Sequence, residues 1–216
     1  VLVFARTSDA DPPHRGISSF VVEAGTDGFH REEVEGYVGP GAMALGELTL
    51  DGARVPVEAR IGEEGDGFYQ AMRTMNGSRL EIAASSIGTA RGALDHTIEY
   101  ISERETFGKP VKDRQAVRHR IANYEARLEA LRTFTYETAR DLEENVDLAE
   151  EPAMAKLLAA QLAEEVASDA IQLHGGYGLI DEYRVEEYLR WSKVAQIYDG
   201  TNEVMRSIIA ESVLDE

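Results

Sequence analysis

Along the first sixty residues, apolar positions come in short runs broken by turn chemistry. Val1 to Ala5, Ile17 to Val22 and Gly46 to Leu50 are the runs; Ser8-Asp9-Ala10-Asp11-Pro12-Pro13 and Gly25-Thr26-Asp27-Gly28 are the breaks. Runs bounded in this way predict strands. Asp51-Gly52 followed by Val55-Pro56 ends the last of them. So little sheet closes no core alone, which implies partner strands upstream. From Gly67 the apolar period lengthens to that of a helix, with Phe68, Met72 and Met75 in step. Ile82 to Ile101 continues it, carrying the small residues Ala83, Ala84, Ser85, Gly88 and Gly92, which permit close helix approach. Asn76-Gly77 marks a kink or a junction between two helices, and Gly108 and Pro110 stop the run. A second helix is predicted over about 113–142, with Val117, Ile121, Tyr124, Leu128, Leu131 and Phe134 as its apolar stripe. A third starts near Pro152, where Glu150 and Glu151 suit the positive end of the dipole, and stops at Gly175-Gly176 after His174. Two shorter helices follow, over about 185–195 and 201–213. The fold class is therefore α+β. A partial β-barrel or sheet domain over 1–62 precedes an up-and-down, four-helix-bundle-like domain over 63–216.

Composition narrows the function classes. The chain has 216 residues, and its 40 acidic against 22 basic residues give a net charge of −18. Such a surface repels nucleic acid and anionic membranes. Only Lys109, Lys112, Lys156 and Lys193 are lysines, so arginine carries most of the positive charge. Either a salt-rich cytoplasm or an ordinary acidic enzyme fits this balance. No cysteine is present, which removes disulfides and thiolate metal sites and is compatible with a reducing cytoplasm. His14, His30, His96, His119 and His174 scatter without metal-ligand spacing, so no metal is expected. No run resembles a signal peptide or approaches the ~18 apolar residues of a membrane span. The opening on Val1, inside an apolar run and without Met, reads as a cut into a longer protein.

Three short segments carry candidate chemistry. Arg104-Glu105-Thr106-Phe107-Gly108-Lys109 offers a phosphate-pairing guanidinium, a hydroxyl and an aromatic face; it also reads as a plain helix end with a favourable cation. Gln172-Leu173-His174-Gly175-Gly176-Tyr177-Gly178 ends a helix in glycines that let a ligand approach the backbone. In Gln196-Ile197-Tyr198-Asp199-Gly200-Thr201-Asn202-Glu203-Val204 a carboxylate stands beside a glycine and a helix-starting threonine. That last segment is also ordinary turn and N-cap chemistry.

In this order and spacing, the three segments resemble the C-terminal half of the acyl-CoA dehydrogenase family, whose members read R-x-T-F-G-K, then Q-x-x-G-G-x-G, then I-Y-E-G-T. The resemblance covers the whole chain, with residues 1–62 similar to the end of the family's middle β-domain. It implies FAD-dependent conversion of an acyl-CoA to a trans-2-enoyl-CoA, as in fatty-acid β-oxidation. It also implies transfer of electrons to electron-transfer flavoprotein and a homotetramer; the composition adds the expectation of a cytoplasmic location. Asp199 falls where the family has its glutamate base, which removes the α-proton while a hydride passes to flavin N5. Such a base needs a pKa raised by burial in an apolar pocket. Arg104, Thr106, Phe107, Gln115, Gln172, Gly175, Gly176, Thr201 and Glu203 match residues that contact FAD, partly that of a neighbouring subunit. Asn76, Arg79 and Gly200 match the CoA-thioester pocket.

The sequence also departs from the family. Asp199 is one methylene shorter than glutamate, although nitroalkane oxidase, a flavin oxidase of the superfamily, uses an aspartate there. The family's second location for the base is occupied by Ser78, which cannot abstract the proton unaided. Gly39-Pro40-Gly41-Ala42-Met43-Ala44-Leu45-Gly46-Glu47-Leu48 keeps the frame of a β-domain motif and lacks its Arg, Ser and Thr. Beside the dehydrogenase stand two alternatives, a superfamily flavin oxidase and a non-catalytic truncated subunit.

Overall fold

The computed structural model describes residues 1–39, 43–145 and 147–214; Pro40, Gly41 and Ala42 of the altered β-domain motif lie outside the described residues. The chain forms two compact units, Val1–Met75 and Asn76–Glu216.

In the first unit, β1 (Leu2–Arg6) pairs antiparallel with β2 (Ile17–Val21), from Leu2↔Val21 to Arg6↔Ile17. A separate ribbon joins β3 (Phe29–Glu33) to β4 (Gly46–Leu50), from Phe29↔Leu50 to Glu33↔Gly46. The two-residue strand β5 (Arg60–Ile61) borders β2, with Ser19 opposite Ile61. The three apolar runs became strands, whereas β3 had no such signal. Its Phe-His-Arg-Glu-Glu sequence buries only Phe29, and pairing with β4 sets its conformation. The unit's interior is partly polar, since the Ser18 hydroxyl shares a hydrogen bond with Thr7 Oγ1 at 2.8 Å and accepts one from the Gly65 N–H at 3.0 Å. The Ser19 hydroxyl donates to Gln70 Oε1, and Gln70 Nε2 donates to the Ile61 carbonyl at 3.1 Å. Those bonds place the first turns of the following helix in this unit.

That helix, α1 (Gly67–Glu103), runs unbroken through Asn76-Gly77, so of the two expected alternatives, kink or junction, the junction between two helices does not exist there. It stops at Glu103, before the glycine and proline expected to end it. A small hairpin intervenes, β6 (Glu105–Thr106) against β7 (Lys109–Pro110), closed where the Val111 N–H donates to the Arg104 carbonyl at 2.8 Å. α2 (Gln115–Glu144), α3 (Glu150–His174), α4 (Val185–Ala195) and α5 (Asn202–Leu214) complete the second unit.

Helix α3 is central and rich in buried alanines, and it packs against α2, α4 and α5. Its Leu162, Ala163, Val166 and Ala170 share a core with Ala90, Ala93 and Leu94 of α1, Leu128 of α2 and Val185 of α4. Burying a leucine such as Leu94 or Leu162 contributes ~1.5–3 kcal/mol. The predicted α2 stripe faces this core through Ile121, Tyr124 and Leu131, while Phe134 packs on Leu80, Ala83, Ala155 and Ala159. The small residues of α1 divide. Ala83 is buried, and an added Cβ on Gly92 would come within 2.9 Å of the Tyr188 ring. Ala84, Ser85 and Gly88 are exposed, so they bring no helix close within this chain. Arginine forks tie the exposed faces: Arg91 to Glu125 at 2.8 and 3.0 Å, and Arg127 to Glu165 at 2.5 and 3.2 Å. Among the described residues, no helix is long and apolar enough to cross a membrane.

Candidate active site and cofactor pocket

The sequence-predicted residues other than Phe107 and Gln115 gather at two places in the second unit. The first is the turn between α4 and α5, closed by the Asn202 N–H donating to the Gln196 carbonyl at 3.0 Å. Asp199 there has φ +50° and Gly200 φ +99°, both left-handed. Among the described residues, only Phe107, Arg184 and Asp199 are non-glycines with positive φ, and two of these are candidate site residues. A left-handed non-glycine persists only where its surroundings impose it.

The Ser78 hydroxyl of α1 donates to Asp199 Oδ2. Beside Ser78 on the same helix, Arg79 and Asn76 are both 5 % exposed, and Arg79 Nη1 donates to Asn76 Oδ1 at 2.8 Å. Arg79 Nε is buried without a hydrogen-bond partner among the described residues. Burial lowers the Arg79 pKa, opposed by the nearby Asp199 carboxylate. A guanidinium with an orphaned donor beside a carboxylate suits a polar ligand group between them. Asp199 itself is exposed in this chain, contrary to the expected apolar burial. The turn leaves its side chain at the surface, held by Ser78.

Lys156 completes this site, and sequence reasoning missed it. It is fully buried, and its Nζ donates to the Gly200 carbonyl at 2.8 Å and to Asn202 Oδ1 at 3.2 Å. Burial pushes its pKa down to about 8, against the pull of Asp199 and Glu203. The available signal was a lone lysine among the alanines 153, 155, 159 and 160 on the buried face of α3. Thr201 Oγ1 accepts the Val204 N–H at 3.4 Å and so caps α5. Glu203 stands exposed in the first turn, its pKa lowered by its own backbone N–H and the Thr201 hydroxyl.

The second place is a cavity of about 360 Å³ where the end of α1 and the β6–β7 hairpin meet the end of α3. It brings together Arg104, Thr106, Gln172, Gly175 and Gly176, with Tyr177 beside them. An added Cβ on Gly175 or Gly176 would meet nothing within 4 Å, so both leave open space. Gly178 differs, because a Cβ there would lie 2.6 Å from the Ile171 carbonyl oxygen. Its small size serves packing. The Arg104 guanidinium lies 5.6 Å from the Tyr177 ring centroid and has no carboxylate partner among the described residues. A free guanidinium, a hydroxyl, an amide and open glycine backbone form a donor set that fits a diphosphate. Tyr100 stacks on His174 at 4.2 Å and gives the wall its aromatic surface. Phe107 and Gln115 do not line the cavity. Phe107 is 97 % exposed at the hairpin tip, with Arg114 5.7 Å from its ring centroid. Gln115 is exposed at the start of α2. Thr201 and Glu203 lie at the Asp199 turn and are not among the residues lining the cavity.

Known proteins share this arrangement of helices. The chain is 39 % identical to an acyl-CoA dehydrogenase of Bacillus subtilis over 99 % of its own length and 56 % of the relative's. It is 37 % identical to subunit CarC of the caffeyl-CoA reductase–Etf complex of Acetobacterium woodii, again over 99 % of this chain and 56 % of that one. The solved butyryl-CoA dehydrogenase of Megasphaera elsdenii superposes with a TM-score of 0.92 at 36 % identity, covering 99 % of this chain and 55 % of that one. The chain thus spans little more than half the length of these relatives. Residues 65–214, the helical part that holds both sites, match the family model described as acyl-CoA dehydrogenase, C-terminal domain. With that match over more than half its length, and with relatives and fold in agreement, the chain belongs to the acyl-CoA dehydrogenase family.

Proposed function

We propose that this chain supplies the proton-abstracting and cofactor-holding C-terminal part of an FAD-dependent oxidoreductase that dehydrogenates an acyl-CoA thioester to its trans-2-enoyl-CoA. The clamp from Ser78 to Asp199 on a left-handed turn carries this reading, because it aims one carboxylate from a fixed backbone. The family is FAD-dependent. FAD, when bound, supplies the acceptor of the β-hydride at its N5. Asp199 takes the α-proton, while Arg79 and Asn76 hold the polar end of the thioester beside it. Substrate must itself exclude water from the exposed carboxylate, which strengthens the electrostatics of the step. Arg104, Thr106, Gln172 and the open backbone at Gly175 and Gly176 hold the diphosphate of the cofactor. Phe107, projecting from the chain, together with Gln115, Thr201 and Glu203, would serve cofactor contacts shared with a second copy in a homotetramer.

Electron-transfer flavoprotein is the proposed electron acceptor, supported by the likeness to a subunit of an Etf complex. A cytoplasmic location is proposed with it. Aspartate in place of glutamate favours a second reading, a superfamily oxidase that passes electrons to oxygen.

Asp199→Asn tests the base. The variant should retain FAD and bind acyl-CoA, yet reduce flavin about 10²–10⁴-fold more slowly in a single turnover. Reduction at the wild-type rate would remove Asp199 from the mechanism. Hydrogen peroxide formed in step with product, without electron-transfer flavoprotein, would select the oxidase reading.

A further inference from the structure

Among the described residues, Lys156 is the largest fully buried side chain, and it belongs to no predicted site. A buried ammonium is costly unless its donors are used, and an apolar residue of similar length would fill the same space on α3 at less cost. Its two bonds both go to the Asp199 turn, at the Gly200 carbonyl and the Asn202 side chain. Among the described residues it bonds to no carboxylate. The charged groups facing it are Asp199, Glu203 of α5 and Arg79 of α1.

The turn needs such an anchor. Asp199 and Gly200 are consecutive left-handed residues, and a left-handed aspartate costs free energy that the surroundings must over-determine. One restraint is the backbone bond from Asn202 to Gln196. Another is Ser78, which grips the carboxylate and not the backbone. Lys156 grips the backbone itself, from the most buried helix of the unit.

We propose that Lys156 is a positioning residue for the base: its ammonium, donating to the Gly200 carbonyl and the Asn202 side chain, holds the left-handed turn that presents the Asp199 carboxylate. The role rests on Asp199 being the base. A base displaced by ~1 Å loses a large factor in rate, on the order of 10², while binding contacts elsewhere are spared. The lysine therefore controls the rate of proton abstraction and leaves the affinity for acyl-CoA unchanged.

The test uses the FAD-loaded protein and the acyl-CoA that reduces the wild type fastest. Lys156→Met keeps the stem and removes the ammonium. Single-turnover flavin reduction should slow at least tenfold, with acyl-CoA Kd within about twofold of wild type. Amide exchange of residues 200–202 should quicken while α3 keeps its protection. Wild-type reduction rate with an equally protected turn would overturn the positioning role and leave Asp199 as the base. If the variant does not fold, Asn202→Ala removes one of the two acceptors and should slow reduction about threefold, again at unchanged Kd; no slowing there overturns the role as well. Should no acyl-CoA reduce the flavin of the wild type, the proposed reaction itself falls, which a slow variant beside an active wild type cannot mimic.

Discussion

Replacing Lys156 by methionine should also change how stability depends on pH. The group's pKa falls from an ordinary 10.5 in the unfolded chain to about 8 in the folded one. The folded state thus binds fewer protons than the unfolded state between these values, and stability rises with pH across that window. Above pH 10.5 the lysine is neutral in both states and costs nothing through its charge. As pH falls through 8, the full burial penalty is reached and then stays constant. At about 1.4 kcal/mol for each pH unit, the penalty is on the order of 3 kcal/mol. The methionine variant has no such penalty, although it leaves the Gly200 carbonyl and the Asn202 amide oxygen without their donor. That loss is nearly independent of pH. The informative quantity is therefore the wild-type stability minus that of the variant, from urea unfolding followed by far-ultraviolet circular dichroism at pH 7.5, 8.5, 9.5 and 10.5. Tyrosine titration is common to both proteins and cancels, including that of Tyr124, whose pKa is raised by burial and by Asp169. The difference should climb by ~3 kcal/mol in favour of the wild type, most steeply near pH 9. A flat difference from pH 7.5 to 10.5 would refute a buried, charge-penalised Lys156.

Two further outcomes separate local from global effects. Gly178→Ala should cost ~1–3 kcal/mol in thermal or urea unfolding, since its Cβ would press on the Ile171 carbonyl 2.6 Å away. Gly176→Ala should leave stability within ~0.5 kcal/mol of wild type. It should nonetheless weaken FAD retention about tenfold in equilibrium dialysis, through lost space in the proposed diphosphate site. Equal stability loss in both variants would contradict the division of the glycine motif. With a net charge of −18, the melting midpoint should rise from dilute buffer to molar KCl as the Debye length shrinks from ~10 to ~3 Å. An unchanged or lower midpoint would remove the salt-adaptation idea and leave the enzyme assignment in place.

The helices were legible because their stripes are long and periodic. Val117, Ile121, Tyr124, Leu128, Leu131 and Phe134 identify the buried face of α2 without any tertiary information, and five of them pack on the observed cores. β3 was not legible, because Phe29 is its one apolar residue and partner pairing, not side-chain pattern, makes it a strand. The junction offered as one reading of Asn76-Gly77 is absent. A single glycine costs an α-helix only ~1 kcal/mol, too little to interrupt 37 residues packed on both sides of it. Ala84, Ser85 and Gly88 permit a close approach that no helix takes among the described residues, because a small residue allows contact without saying that a neighbour makes it.

At the site, the sequence could name Asp199 but not its conformation. Asp-Gly is compatible with several turns, and the left-handed turn at Asp199 is contacted by groups far away in sequence. Ser78 lies 121 positions upstream, and Lys156 lies 44 upstream of the Gly200 carbonyl that it holds. Neither bond leaves a trace in local periodicity. A serine in place of a second base reads as a vacancy until the structure shows its hydroxyl on the Asp199 carboxylate. The shortened side chain is thereby coupled to a specific turn and a specific clamp. Changing Asp199 to glutamate alone would lengthen the side chain that Ser78 grips and leave the Lys156 bond to the Gly200 carbonyl in place. Asp199 and the two side chains that hold its turn therefore form one unit, and the identity of residue 199 is to be judged with Ser78 and Lys156 in place.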